Sequence, residues 1–342
     1  MGQKEITEPS PALDELGNPL NFGWARSPCF SYDPGLIISP RRSVSESDRY
    51  IFFSSTHLII LELLDDGYLG YMGMSVVSLR DKKRSTHIWA IPFPLGCFGL
   101  PSNSDEGQVR LQGKKYYLNL AAMDGGVRIV KLEIPRFDHH QSVRGELVLT
   151  PPPGAQSLTT HMPWREKKQA FRCSRRSPWY IVEGVILFGA QELVFTQGNS
   201  WGIYEWNRGV RPKKDIRFWA AACGRSGDRQ AGISVGYDSA DSSLGTENAF
   251  FLDGKIHKLD QVTFQISPSN WLLPWRFTSN DNRLEMVFTP HQERISKHQM
   301  FLHSLKLRQI IGFFSGKVIL DDGSEFEFKS FTGFAERRKA NL

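Results

Sequence analysis

Alternation is the strongest constraint in this chain. In Val130-Lys131-Leu132-Glu133-Ile134 every second residue is apolar, and the same holds in Val262-Thr263-Phe264-Gln265-Ile266. It recurs where Phe326 and Phe328 are set between Glu325, Glu327 and Lys329. Successive side chains of a strand point to opposite faces, so a period of two sorts the apolar set to one side of a sheet. Asp-Gly occurs four times, at Asp66-Gly67, Asp124-Gly125, Asp253-Gly254 and Asp322-Gly323. Both residue types accept the positive φ of a tight hairpin turn. The flanks agree: Tyr50 to Leu64 and Tyr68 to Leu79 read as strands on either side of the first turn. No long stretch carries a helical period. The pattern predicts an almost all-β chain of many short strands.

A meander of this length has to bury its faces and remove its edges, as sandwiches and barrels do. At 342 residues the chain is long enough for two such units. Pro151, Pro152 and Pro153, followed by Gly154, mark the best linker, Thr150 to Met162, because consecutive prolines cannot join a central ladder. The expected boundary falls between there and Pro178, giving an N-terminal β domain, 1–165, and a C-terminal β domain, 166–342. Seven of the nine tryptophans lie between Trp164 and Trp275, which places the more distinctive chemistry in the second half.

The formal net charge of +6 is mild for this length. Its clusters, Arg80 to Arg84, Arg165 to Lys168 and Arg172 to Arg176, sit beside turn-like segments and read as solvated loop charges. No helix-turn-helix or zinc-finger spacing is present, so no nucleic-acid partner is expected. Cys29, Cys97, Cys173 and Cys223 are far apart, and four buried free thiols fit a reducing compartment. The N-terminus lacks an apolar signal core and no apolar stretch is long enough to span a bilayer, which makes the cytoplasm the expected location and excludes stable membrane insertion. The histidines are scattered, and a strand would point His139 and His140 apart. No metal-ligand spacing, phosphate-cradling glycine loop or nucleophile elbow occurs, so neither metal nor cofactor is expected.

The densest segment is Trp201-Gly202-Ile203-Tyr204-Glu205-Trp206-Asn207-Arg208-Gly209. A strand through it puts Trp201, Ile203, Glu205 and Asn207 on one face, and Tyr204, Trp206 and Arg208 on the other. An inward carboxylate needs an arginine or other donors, or it takes the raised pKa that suits a general acid. Glu205 is therefore either a candidate acid or a member of a buried network with an arginine from a neighbouring strand. Glu247 and Asn248, at the mouth of an apolar strand, reach either a bound polar group or the loop's own backbone donors. Glu336 is an interior acid or a surface charge beside Arg337 and Arg338.

The order of motifs resembles a bacterial family of unknown function, number 2804. The likeness begins at Ile6-Thr7-Glu8-Pro9-Ser10, Gly17 and Gly23-Trp24-Ala25-Arg26-Ser27-Pro28. It runs through Glu205-Trp206-Asn207-Arg208-Gly209, Thr246-Glu247-Asn248-Ala249 and Asp253-Gly254-Lys255. It ends with Pro274-Trp275, Phe288-Thr289-Pro290, Gln309 to Gly316 and Gly333-Phe334-Ala335-Glu336. The family pattern has Asp, and often Thr, where this chain carries Glu205 and Asn207. More distantly, the chain is similar to tandem lipocalin-like proteins, a group with carotenoid hydratases and some cyclases. That likeness implies two antiparallel lipocalin-like (calycin-type) barrels or strongly curved sheets, with a ligand cavity in or between them.

Three functions are open at this level. The first is binding of an apolar small molecule, lipid or isoprenoid-like, in an aromatic-lined cavity. Trp201, Tyr204, Trp206, Asn207, Trp219, Asn248, Trp275 and Glu336 would hold it, with Glu205 and Arg208 orienting it. The second is cofactor-independent hydration, isomerisation or cyclisation, with Glu205 as general acid tuned by Arg208 or Glu247. The third is a structural or interaction module without a ligand.

Overall fold

The computed structural model describes residues 3–138, 141–165, 167–300 and 303–341, with the side chains of 298–300 and 303 left aside. His139 and His140 lie outside the described residues, as do the side chains of His298 and His303. Among the described residues the chain is nearly all-β, 64% strand and 3% helix, arranged as two curled antiparallel sheets with a short parallel pair, Ser10–Pro11 and Phe30–Ser31, beside them.

The first sheet runs, neighbour to neighbour, through Arg84–Pro92, Leu69–Ser78, His57–Asp65, Val44–Phe53, Trp201–Val210 and Lys167–Phe188. It continues through Gln141–Thr150, Arg128–Asp138, Tyr117–Ala122 and Gln108–Gln112. Leu158–Trp164 pairs with the first part of Lys167–Phe188, and Gly23–Ala25 adds beyond it. The curl brings distant strands together: the His87 ring nitrogen Nδ1 lies 2.9 Å from the carbonyl oxygen of Phe137. The second sheet runs through Lys255–Lys258, Ala249–Leu252, Arg229–Tyr237, Lys214–Ser226, Glu325–Asn341, His303–Ile319, Leu284–Met300, Trp275–Ser279 and Val262–Gln265.

Local sequence explains these elements. All four Asp-Gly pairs lie at connections between consecutive antiparallel strands. At Asp253-Gly254 both residues have positive φ, 45° and 86°, as the two-residue hairpin demands. Val130, Leu132 and Ile134 are buried while Lys131 and Glu133 face out, which is the period-two reading made visible.

The change of sheet falls at 211–213 and not after residue 165. Lys167–Phe188 and Trp201–Val210 belong to the first sheet, and the second begins at Lys214. The proline-rich segment 151–157 is a loop inside the first sheet, between Gln141–Thr150 and Leu158–Trp164. Prolines interrupt a ladder wherever they stand, so they mark a loop without marking a domain.

Three of the five apolar clusters among the described residues make up most of the core. One fills the first curl, around Tyr50, Phe52, Val130, Leu147, Tyr204 and Trp206. A second fills the other curl, around Phe250, Trp275, Phe277, Phe288, Phe314 and Phe328. The third, with Ile51, Phe53, Ile203, Trp219, Ile311 and Phe334, lies between the sheets. The sheets approach closely there: a Cβ on Gly232 would stand 2.0 Å from the carbonyl oxygen of Pro178. Cys29, Cys173 and Cys223 are buried free thiols, but Cys97 is exposed, because it sits in the loop after Arg84–Pro92.

Candidate functional site at the seam between the sheets

Strand Trp201–Val210 lies between Val44–Phe53 and Lys167–Phe188. In register, Glu205 stands opposite Arg49 on one side and Arg176 on the other. Cross-strand neighbours on one face are within side-chain reach, so the carboxylate is flanked by two guanidinium groups from its own sheet. The second sheet supplies the rest. Trp219 is opposite Glu336, and Glu336 is opposite Gln309, which brings a ring, a carboxylate and an amide to the seam.

The resulting network is closed and dense. Arg49 Nε donates to Glu205 Oε2 at 2.7 Å, and its Nη1 and Nη2 donate to Glu336 at 3.0 and 2.8 Å. Arg217 donates to Glu205 and to Glu247, each at 2.9 Å. Arg176, with no exposed surface, donates to Glu247 at 2.8 Å and stands 3.2 Å from Glu205. Asn207 donates to Glu205 at 3.0 Å, Ser174 to Glu247 at 2.5 Å and Gln309 to Glu336 at 2.7 Å. The Trp219 ring lies beneath three guanidinium groups, those of Arg49, Arg176 and Arg217, at 4.7 to 5.2 Å. Its indole nitrogen donates to Ser234, so both face and edge of the ring are used.

Electrostatics follow from these partners. Burial alone would raise the Glu205 carboxyl, but Arg176, Arg49 and Arg217 together hold it well below the ordinary carboxylate range. Burial opposes Arg172, Arg176, Arg217 and Ser174 at Glu247 in the same way, and the donors prevail. Arg176 is brought down to about 10 by its burial and by the like charges of Arg217 and Arg172, against the pull of Glu205 and Glu247. An ionised, multiply bonded carboxylate has no proton to give near neutrality, so Glu205 does not have the raised pKa that a general acid needs. The buried-network reading of this residue is the one the geometry matches.

Other expected residues fall elsewhere. Tyr204, Trp206 and Arg208 occupy the opposite face, inside the first curl, with Arg208 donating to Asp48 at 2.9 Å. Trp201 packs in the apolar part of the seam with Trp219, whereas Trp275 is fully buried inside the second curl. The four tryptophans thus serve three separate zones. Asn248 accepts from the Gly236 amide and donates to the Asp260 carbonyl, tying down its own loop.

At one end the seam opens. A cleft of about 350 Å³ is lined by Met162 and Arg172 of the first sheet's strands and by Tyr237, Asp238, Glu247, Asn248, Val262 and Phe264 on the other side. Tyr237, almost half exposed, stacks on Phe218 at 4.9 Å and meets Phe264 edge-on at 5.2 Å, forming an aromatic shelf. Arg172 pairs with Asp238 at 2.5 Å, while its buried Nε and Nη2 have no hydrogen-bond acceptor among the described residues. Asp215, near the same arginine, is pushed up to about 6 by burial and by Asp238, against Arg172 and Arg217. Its Oδ1 is buried without a hydrogen-bond partner among the described residues.

Arg172, Arg176 and Asp215 were not candidates from sequence. Arg172 to Arg176 reads as a solvated cluster, but these residues lie on a strand, with Arg175 and Arg176 buried and Arg172 nearly so. The overlooked signal is stoichiometric: Glu205, Glu247 and Glu336, each set among apolar residues (Tyr204 and Trp206, Ala249 to Leu252, Phe334 and Ala335), require cations nearby once buried, and a charged cluster next to Phe171 and Cys173 can supply them. Among the described residues no group of His, Cys, Asp and Glu is arranged to hold a metal ion. No described helix is long and apolar enough to cross a membrane.

Comparison with known proteins agrees with this fold. The chain belongs to the family described as domain of unknown function 2804, whose pattern matches residues 3–342. No protein of curated function matches the sequence significantly. Among solved structures, CghA superposes with a TM-score of 0.56 at 11% identity, covering 100% of this chain and 97% of that chain. CghA with Sch210972 gives 0.54 at 12% identity, over 88% and 89% of the two chains. Kievitone hydratase from Nectria haematococca gives 0.50 at 11% identity, over 86% and 88%.

Proposed function

We propose that this chain binds an apolar small molecule bearing one hydrogen-bond-accepting group, seated in the cleft at the open end of the seam. The observation that carries the reading is Arg172, which lines the cleft of about 350 Å³ beside the aromatic shelf: among the described residues its buried Nε has no hydrogen-bond acceptor, and its Nη2 has only Glu247 at 3.6 Å, beyond hydrogen-bond range. Buried donors are rarely left unmet, and a ligand oxygen would meet them. Tyr237, Phe264, Val262 and Met162 suit the apolar body. The likeness to CghA crystallised with Sch210972 supports the capacity of such an architecture to hold an organic molecule, though it carries over the fold alone.

A second reading adds catalysis without a cofactor, such as hydration or isomerisation. Asp215, which lines a neighbouring cleft together with Arg172, favours it, because burial and Asp238 push its carboxyl up to about 6, where it can exchange a proton close to neutrality, while Glu205 stays ionised. The test is mass spectrometry of the chain after mild extraction, to identify a copurified compound. Arg172→Met and Tyr237→Ala should each lose that compound, and Glu205→Gln should leave its chemistry unchanged. Retention by both cleft variants would exclude the site. Turnover abolished by Glu205→Gln in a folded protein would restore the carboxylate that this reading sets aside.

A further inference from the structure

The first curl contains a feature that the seam does not explain. Three arginines, Arg128, Arg175 and Arg208, are all at least 93% buried there, with exposures of 3%, 7% and 0%. Their principal partners are backbone carbonyls of one surface segment. Arg208 donates through Nε and Nη2 to the Pro101 carbonyl at 3.1 and 2.8 Å, and Trp206 Nε1 reaches the same oxygen at 3.4 Å. Arg128 Nη2 and Arg175 Nη1 both donate to the Ser104 carbonyl, and Arg175 also reaches the Ser104 hydroxyl at 3.1 Å.

Charge is not balanced here. Asp48 neutralises Arg208 at 2.9 Å, and the half-exposed Asp105 pairs with Arg175. Arg128 has no carboxylate partner among the described residues. Its guanidinium sits 3.6 Å over the Tyr204 ring, and its Nε donates to the Tyr180 hydroxyl at 3.3 Å. A buried cation matched only by neutral groups is costly, and one negative charge would relieve it. Beside Ser104 lies a cleft of about 190 Å³, walled by Phe30, Tyr32, Thr159, Cys173 and Trp206 and roofed by Ser102 and Asn103. Gly99 and Gly107, at φ of 58° and 99°, bracket the segment. Ser102, Asn103 and Glu106 are exposed, while the segment is held by the Pro101 and Ser104 carbonyls, by Asp105 on Arg175 and by Leu100 packed against the first curl's core.

We propose that the mouth of the first half-barrel binds an apolar monocarboxylate, whose head takes the place of the Ser104 carbonyl on Arg128 and Arg175 as residues 99–107 swing out. Arg128 is unneutralised, and the swing also takes Asp105 from Arg175, so the head faces two guanidinium groups that both donate to one carbonyl oxygen, an arrangement the paired oxygens of a carboxylate can take over. The apolar body extends along Trp206, Tyr32 and Phe30. The cleft has room for about six water volumes, which fits a short chain or a single ring. This site shares no residue with the cleft around Arg172, so either can fail without the other.

Octanoate and octanol, titrated into the full chain at pH 7 and followed by Trp fluorescence and amide hydrogen exchange, test the proposal. Octanoate should bind at least about tenfold more tightly than octanol, a difference set by the head group. It should raise exchange in 99–107, which octanol should not. Arg128→Met, which removes an unpaired buried charge, should fold and lose the preference. If that variant does not fold, the two ligands on the wild-type chain decide. Equal affinities, no binding, octanoate binding without added exchange in 99–107, or an undiminished preference in Arg128→Met would each overturn the site.

Discussion

The second half-barrel is filled by rings, whereas the first is filled partly by charge. In the second, Phe288 and Phe314 stack at 4.4 Å, Phe264 meets Phe277 at 4.5 Å and Trp271 meets Trp275 at 5.3 Å. The first curl keeps three buried arginines that donate to the carbonyls of a surface loop. One fold therefore supports two interiors, a closed apolar core and one whose polar contents bond to a surface segment. Between them runs the seam, apolar at Trp219 and Phe334 and ionic at Glu205, Glu247 and Glu336. The difference separates the two proposed sites from the ring-filled core: both lie beside buried arginines that lack an acceptor or a counter-charge among the described residues.

Substitutions can break or sharpen this contrast. Trp275→Ala should be the most damaging, costing about 3–5 kcal/mol in denaturant unfolding, because a close-packed aromatic interior cannot collapse around the void. Glu205→Gln should cost about 3 kcal/mol, since it leaves Arg49, Arg176 and Arg217 short of a charge in a buried place. A neutral result for either would mean that its zone is far looser than the distances imply.

Asp215→Asn should act in the opposite direction. A carboxyl raised to about 6 favours its protonated form in the folded state, so the ionised form is penalised as pH rises through 6. The variant should therefore be more stable than wild type at pH 8, by about 1–2 kcal/mol, with the gain vanishing below the ordinary Asp pKa. Melting curves at pH 4 and pH 8 measure it. Smallest in stability is Tyr237→Ala, expected within about 0.5 kcal/mol because the ring is half exposed. Its effect should instead appear as weaker ligand retention in the cleft.

Much of the fold was legible. Period two and the Asp-Gly turns foretell the strands, and the face assignment of 201–208 matches the structure residue by residue. Glu205 opposite an arginine was also within reach, because a carboxylate among tryptophans has few affordable environments. The sheet boundary was not legible, since prolines report a break in a ladder and not which sheet follows. Nor was the burial of Arg172, Arg175 and Arg176, for strand residues of one charge look like a solvated run until the partner strands are known. Trp206 and Trp219 are close in sequence, yet they face different zones, because Trp206 points into the first curl while Trp219, like Trp201 of the other sheet, points to the seam.

The sharpest test is a carbon-13 carboxyl titration of the seam, following Glu205, Glu247 and Asp215 from pH 8 to pH 3. Depressed groups contribute stability above their unfolded pKa that is lost only when pH falls through the folded value. The account predicts that Glu205 and Glu247 stay ionised throughout the ordinary carboxylate range while Asp215 takes up a proton near pH 6. A Glu205 signal titrating at or above the usual glutamate value, with Asp215 silent, would contradict it.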